Sequence, residues 1–150
     1  MRLALFALAA LTVPHAASAQ TWRLAAYSNQ APQMAYFVDV DSVRRTGNVV
    51  TFKQQTVYET TSPTRDFDRS MLTRSADCSA MTSFMRDSSF YVRGTYLDTE
   101  AGPSDPTVAK PGTVLLTMLN TVCGRGDYFS PAVPNPEIWV LEKFRNGFDK

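Results

Sequence analysis

Lys110-Pro111-Gly112-Thr113-Val114-Leu115-Leu116-Thr117-Met118-Leu119-Asn120-Thr121-Val122-Cys123 is the one stretch that reads as a helix in a sequence otherwise made of strand signals. Thr113 is placed to cap its start after Pro111-Gly112, and Gly124 to stop it. Leu115, Met118 or Leu119, and Val122 recur on one face. Threonine and valine lose rotamer freedom in a helix, so the intrinsic propensity here is poor and tertiary contacts must hold the segment. Its apolar face needs a sheet to cover it. The stretch also ends on Cys123, for which Cys78 is the only available partner.

The compartment follows from the start of the chain. Residues 1–19 carry a positive charge at Arg2, an apolar run over 3–13 and Ala17-Ser18-Ala19 before Gln20, which is the pattern of a cleaved secretory signal peptide. No cysteine adjoins that site to accept a lipid anchor, and no twin arginine is present. No run approaches the roughly 20 apolar residues that spanning a bilayer needs. The expected product is therefore exported and without a membrane span, either periplasmic or secreted to the cell surface. In an exported chain two cysteines read as one disulfide, and the competing reading as a metal or redox site lacks C-x-x-C spacing and nearby ligands. Closing the loop between Cys78 and Cys123 is worth roughly 4 kcal/mol on a chain-entropy argument.

Residues 20–150 carry 14 basic and 14 acidic side chains. That balance argues against nucleic acid as a partner, since such binding rests on neutralising phosphates. The only histidine, His15, lies in the segment to be removed. Histidine-dependent triads, histidine general bases and nearly all catalytic zinc sites are thereby excluded from the mature chain. No cofactor or metal site is expected.

Ahead of the helix the chain alternates as strands over 21–27, 35–40, 49–58, 70–78, 81–86 and 90–96. Residues 41–48 read as a connection with Gly47-Asn48 as a tight turn, and Asp87-Ser88-Ser89 as the joint between the last two strands. Gly94 is a candidate bulge. Over 49–58, Val50, Phe52, Thr56 and Tyr58 fall on one side and Lys53 and Gln55 on the other, which suggests one covered and one wet face. Over 70–78, Cys78 shares a face with Leu72 and Ala76, the face the helix should cover. Turn-length connections imply an antiparallel meander.

The ordered series Trp22, Tyr36-Phe37-Val38-Asp39, Ser42-Val43-Arg44-Arg45, Gly47-Asn48-Val49-Val50, Asp77-Cys78, Gly94, Pro111-Gly112-Thr113 and Val122-Cys123 resembles the surface-adhesin protein E family of exported bacterial proteins. The resemblance implies a small antiparallel sheet with a C-terminal helix on one face, tied by a disulfide. It also implies a role in binding host matrix and plasma proteins. The missing lipid-anchor cysteine and the continuation past Cys123 depart from that pattern. The expected fold class is thus α+β, an antiparallel meander sheet of about six strands with one C-terminal helix packed on one face and tied by the Cys78–Cys123 disulfide.

The expected division is a signal peptide at 1–19, an adhesin-E-like domain at 20–124 and a Pro-containing extension at 125–150. Residues 138–144 of that extension are too apolar to stay exposed. They dock as an edge strand or a short helix, on their own domain or on a second copy, which would make a homodimer. Arg125-Gly126-Asp127 spells an integrin-recognised triplet just past the helix stop, against the plain reading that glycines suit a helix exit. Trp139 and Phe144 are the candidate interface anchors, while Trp22 suits a core. Asp39 and Asp41 could pair as acid and base, but they flank a turn whose hydrogen bonds Asp39 would take. Arg44, Arg45, Arg65, Arg69 and Arg74 suggest a basic patch, interrupted by Asp66 and Asp68. The expected function is a non-enzymatic protein-binding module for host matrix or envelope proteins. The alternative is a periplasmic accessory or inhibitor-like domain holding an envelope protein, or a small ligand between sheet and helix.

Overall fold

A computed structural model describes residues 20–61 and 66–148, so the expected signal peptide and Arg65 lie outside the described residues. Six strands, β1 (Trp22–Ser28), β2 (Met34–Thr46), β3 (Val49–Tyr58), β4 (Arg69–Asp77), β5 (Thr82–Val92) and β6 (Thr95–Ala101), pair antiparallel in chain order. A short β7 (Thr107–Val108) adds to β5, and two helices follow, α1 (Val114–Val122) and α2 (Pro136–Asn146). This is the α+β meander read from the sequence, with the Cys78–Cys123 disulfide in place at a Cα–Cα distance of 5.6 Å.

The helix that decided the fold is capped as its residues dictate. The Thr113 hydroxyl accepts from the Leu116 amide at 3.3 Å. At the far end Gly124 takes φ 76°, its amide donates to the Thr121 carbonyl and the Arg125 amide to the Asn120 carbonyl. Those two bonds close the helix in the pattern that a left-handed residue after the cap permits. Met118, Leu119 and Val122 are buried over Ala25, Ala26, Val38, Val50, Phe52 and Ala76. Each such side chain contributes about 1.5–3 kcal/mol by leaving water.

Three local readings are corrected. Residues 41–48 are not a connection, because β2 runs on to Thr46 through a bulge between Asp39 and Arg44. The Ser42 hydroxyl fills that bulge by donating to the Asp39 carbonyl at 2.6 Å and accepting from the Lys53 amide at 2.8 Å. Second, residues 87–89 do not form a turn. They lie within β5, and the chain reverses at Arg93 and Gly94, both at positive φ. Third, β3 does not keep one wet face, since Gln54, Gln55, Thr56 and Val57 are all buried in succession.

The extension explains that last difference. After the α1 exit, the amides of Phe129 and Val133 donate to the carbonyls of Leu24 and Trp22 at 2.8 and 2.7 Å, and the Ser130 hydroxyl accepts from the Leu24 amide at 2.9 Å. This strap satisfies the outer edge of β1. The chain then enters α2, with Asn135 as cap, Pro136 in the first turn, Glu137 at the positive end and Lys143 and Arg145 at the negative end. Val140 and Phe144 pack on Trp22, Leu24, Ala35, Phe37 and Val57. The sheet is therefore covered on both faces, by α1 on one and α2 on the other.

Candidate functional site

Coverage by α1 is incomplete. The buried residues packed with α1 come from β1, β2, β3 and β4, through Ala25, Ala26, Val38, Val50, Phe52 and Ala76, and none comes from β5 or β6. Beyond the reach of its core contacts, the α1-side face carries polar groups instead of apolar ones. Arg74 of β4 stands in the same register as Leu72, Ala76 and Cys78, so its side chain points to that face. Its Nε donates to the Gln54 Oε1 at 3.0 Å and its Nη1 to the Ser83 Oγ at 2.9 Å. The Gln54 amide in turn donates to the Thr56 hydroxyl at 2.9 Å, which fixes the orientation of its oxygen toward Arg74. Gln54, Thr56 and Ser83 are buried.

Arg74, Gln54 and Ser83 floor a groove of about 260 Å³ between sheet and helix, with Thr56 behind Gln54. Leu115 and Met118 of α1 and Met85 of β5 form apolar walls, and Ser104 stands at the rim. Ser104 is held there because the chain leaving β6 folds back on β5. The Gly102 amide donates to the Arg86 carbonyl and the Ser104 amide to the Met85 carbonyl, each at 2.9 Å. A side chain at position 102 would place Cβ 2.2 Å from the Arg86 carbonyl oxygen, so only glycine allows this return. No lining residue is acidic. Burial pushes the pKa of Arg74 below the ordinary arginine value, with Tyr36 nearby opposing the shift, and the guanidinium stays charged. Among the described residues it has no carboxylate partner.

The residues singled out in the sequence are dispersed. Arg125, Gly126 and Asp127 are exposed in the turn after α1. The Arg125 guanidinium is committed to the Cys78 carbonyl at 2.6 Å, and the Asp127 carbonyl accepts from the Thr121 hydroxyl at 3.3 Å. Trp139 meets Phe37 edge-on at 5.9 Å, and Phe144 is 8% exposed against the same sheet. The outward side of α2 instead shows Ile138 and Leu141, 69% and 50% exposed. The buried Asp39 carboxylate accepts from the Thr21 and Asp41 amides, while Asp41 is exposed. Among the described residues the arginines of the expected basic patch are dispersed, with Arg45 turned to the Cys78 sulfur and the Val122 carbonyl. Arg69 lies on the α2 face in an ion pair with Glu137, Arg44 is turned onto the carbonyls of Asp41 and Val43, and Arg74 lies in the groove. Among the described residues no cluster of His, Cys, Asp or Glu could hold a metal, and no helix is long and apolar enough to cross a membrane.

The profile of the surface-adhesin protein E family matches residues 22–124, the sheet and α1 without the strap and α2. No curated protein matches the chain. Among solved structures it is similar to Haemophilus influenzae protein E in crystal form II, 15% identical, covering 78% of this chain and 97% of that one with a TM-score of 0.49. A second structure of Haemophilus influenzae protein E is 16% identical and covers 76% of this chain and 91% of that one, with a TM-score of 0.47.

Proposed function

This chain belongs to the surface-adhesin protein E family, and from that premise we propose that it is an exported, non-enzymatic module that holds a protein partner on its outer surface. The observation that carries the reading is the asymmetry of the two sheet edges. The strap of residues 129–133 closes the β1 edge, whereas all seven residues of β6 are exposed and, among the described residues, no strand pairs with its far side. Tyr96 and Leu97 stand 53% and 42% exposed there. An open strand edge offers a row of backbone donors and acceptors to an extended segment of another chain, and flanking aromatic and aliphatic side chains supply its selectivity. The export pattern of residues 1–19 and the disulfide support placement outside the cytoplasm. The Asp39 carboxylate is occupied by turn hydrogen bonds, and the groove holds a cation with no carboxylate beside it, which supports a role without acid–base chemistry.

The exposed pair Ile138 and Leu141 favours a second partner surface on α2, next to Trp139 and on the opposite side of the sheet from Arg125-Gly126-Asp127. One experiment decides between them. The protein is passed over immobilised extracellular-matrix proteins, with Leu97→Glu and the double variant Ile138→Glu/Leu141→Glu alongside. Binding tighter than about 10 μM that Leu97→Glu weakens at least tenfold is the expected result. Loss only in the α2 variant moves the site to the extension. No binding to any matrix protein, with all of the protein in the periplasmic fraction, removes the adhesin role.

A further inference from the structure

We propose that the groove between the sheet and α1 is a binding site for a small monocarboxylate with a short apolar body, its carboxylate on Arg74 and its body between Leu115, Met85 and Met118. The inference stands apart from the outer-surface reading and does not depend on it.

Charge decides the head group. A guanidinium taken out of water is costly unless paired, and here its polar partners are two neutral oxygens, of Gln54 and Ser83. Those bonds use Nε and Nη1 and hold the plane of the group fixed. Nη2 has no hydrogen-bond partner among the described residues, so donors remain for a ligand oxygen. A planar fork pre-positioned in this way suits a carboxylate, whose two oxygens accept in the same plane. Val114 and Leu115, the first residues of α1, also line the groove, which sets the positive end of the helix beside the same space. No acidic lining residue competes.

Size and walls decide the rest. At about 260 Å³ the space lies just below the usual range for small-molecule pockets and suits a ligand of one residue or a short acid. Its sides are methionine and leucine, and methionine adapts to the outline of an apolar body. The same chemistry is offered by a free short-chain acid and by the C-terminal residue of a peptide. Hexanoate represents the first and N-acetyl-leucine the second, with hexanamide and N-acetyl-leucinamide as neutral counterparts.

Isothermal titration of the purified protein with these four compounds tests the site. The expected result is saturable 1:1 binding of hexanoate or N-acetyl-leucine tighter than about 1 mM, at least tenfold weaker for the matching amide, and the tighter acid names the source. Arg74→Gln should weaken binding at least tenfold while leaving any matrix-protein binding unchanged. Leu115→Trp, which fills the groove from the helix side without touching the buried network, should abolish it and decides the matter if Arg74→Gln fails to fold. Absence of saturation by both acids, equal binding of acids and amides, or full affinity in the Leu115→Trp protein would overturn the proposal.

Discussion

Arg69 and Arg74 lie on one strand five positions apart, and that odd spacing sends them to opposite faces, one to an ion pair with Glu137 and the other to the groove floor. The placement of Arg74 was legible in the sequence, since it falls in step with Leu72, Ala76 and Cys78 on the face assigned to the core. Grouping it with nearby arginines hid that signal, because proximity along a strand says nothing about which face a charge occupies. Gln54 carried the same mark, in step with Val50, Phe52 and Thr56, while Ser83 is set on that face by its pairing with Ala76. Asp77, beside the disulfide, makes a prediction of its own. The Ser79 hydroxyl and the Ala80 and Ser79 amides donate to its carboxylate and hold its pKa below the ordinary carboxylate value. A depressed native pKa means that the stabilisation is present above the unfolded value, about 4, and disappears as the pH falls through the native value. Between pH 6 and pH 2, the thermal midpoint of the wild-type protein should therefore fall further than that of Asp77→Asn. Equal falls in the two proteins would show that this turn contributes nothing to acid sensitivity.

Among the elements, α1 was readable because Thr113 and Gly124 bracket it and its apolar positions recur at helical spacing. The signals for α2 were equally present in Asn135, Pro136, Glu137, Lys143, Arg145 and Gly147, yet a segment of three prolines leading into Ile-Trp-Val-Leu fits an edge strand as well. What settles the choice is tertiary. Trp22, Leu24 and Phe37 leave one face of the sheet apolar, and α2 presents Val140 and Phe144 one turn apart to cover it. The reversal at Arg93-Gly94 was harder to see, because an arginine at positive φ is rare and nothing in its side chain announces it. If α2 is a structural layer, Phe144→Ala should lower the free energy of unfolding by about 3 kcal/mol in urea. Ile138→Ala, one helix face away, should change it by less than about 0.5 kcal/mol. A Phe144→Ala effect as small as that of Ile138→Ala would mean that the helix docks without stabilising the sheet.

At the scale of the molecule, one sheet serves two cores, and alternate residues of the same strands feed them, as Phe37 does on the α2 face and Val38 on the α1 face. Neither layer can lose its strands without undoing the other, so the two should unfold together. The probes for this are already placed. Both tryptophans, Trp22 and Trp139, report on the α2 face, while the cross-link from Cys78 to Cys123 ties down only α1. Replacing the pair by Cys78→Ala/Cys123→Ala should lower stability by roughly 4 kcal/mol through the entropy of the opened loop. That is a large part of the about 5–15 kcal/mol typical of a domain, and it should move the urea midpoint down by roughly 2 M. The shift should be the same by tryptophan emission, which sees the far layer, as by far-UV circular dichroism, which sees every element. A tryptophan midpoint that stays in place while the dichroism midpoint falls would show that α1 peels away alone. Carboxylate binding in the groove would then be lost on reduction with the α2 face still folded, and the disulfide would be guarding the groove wall instead of the fold.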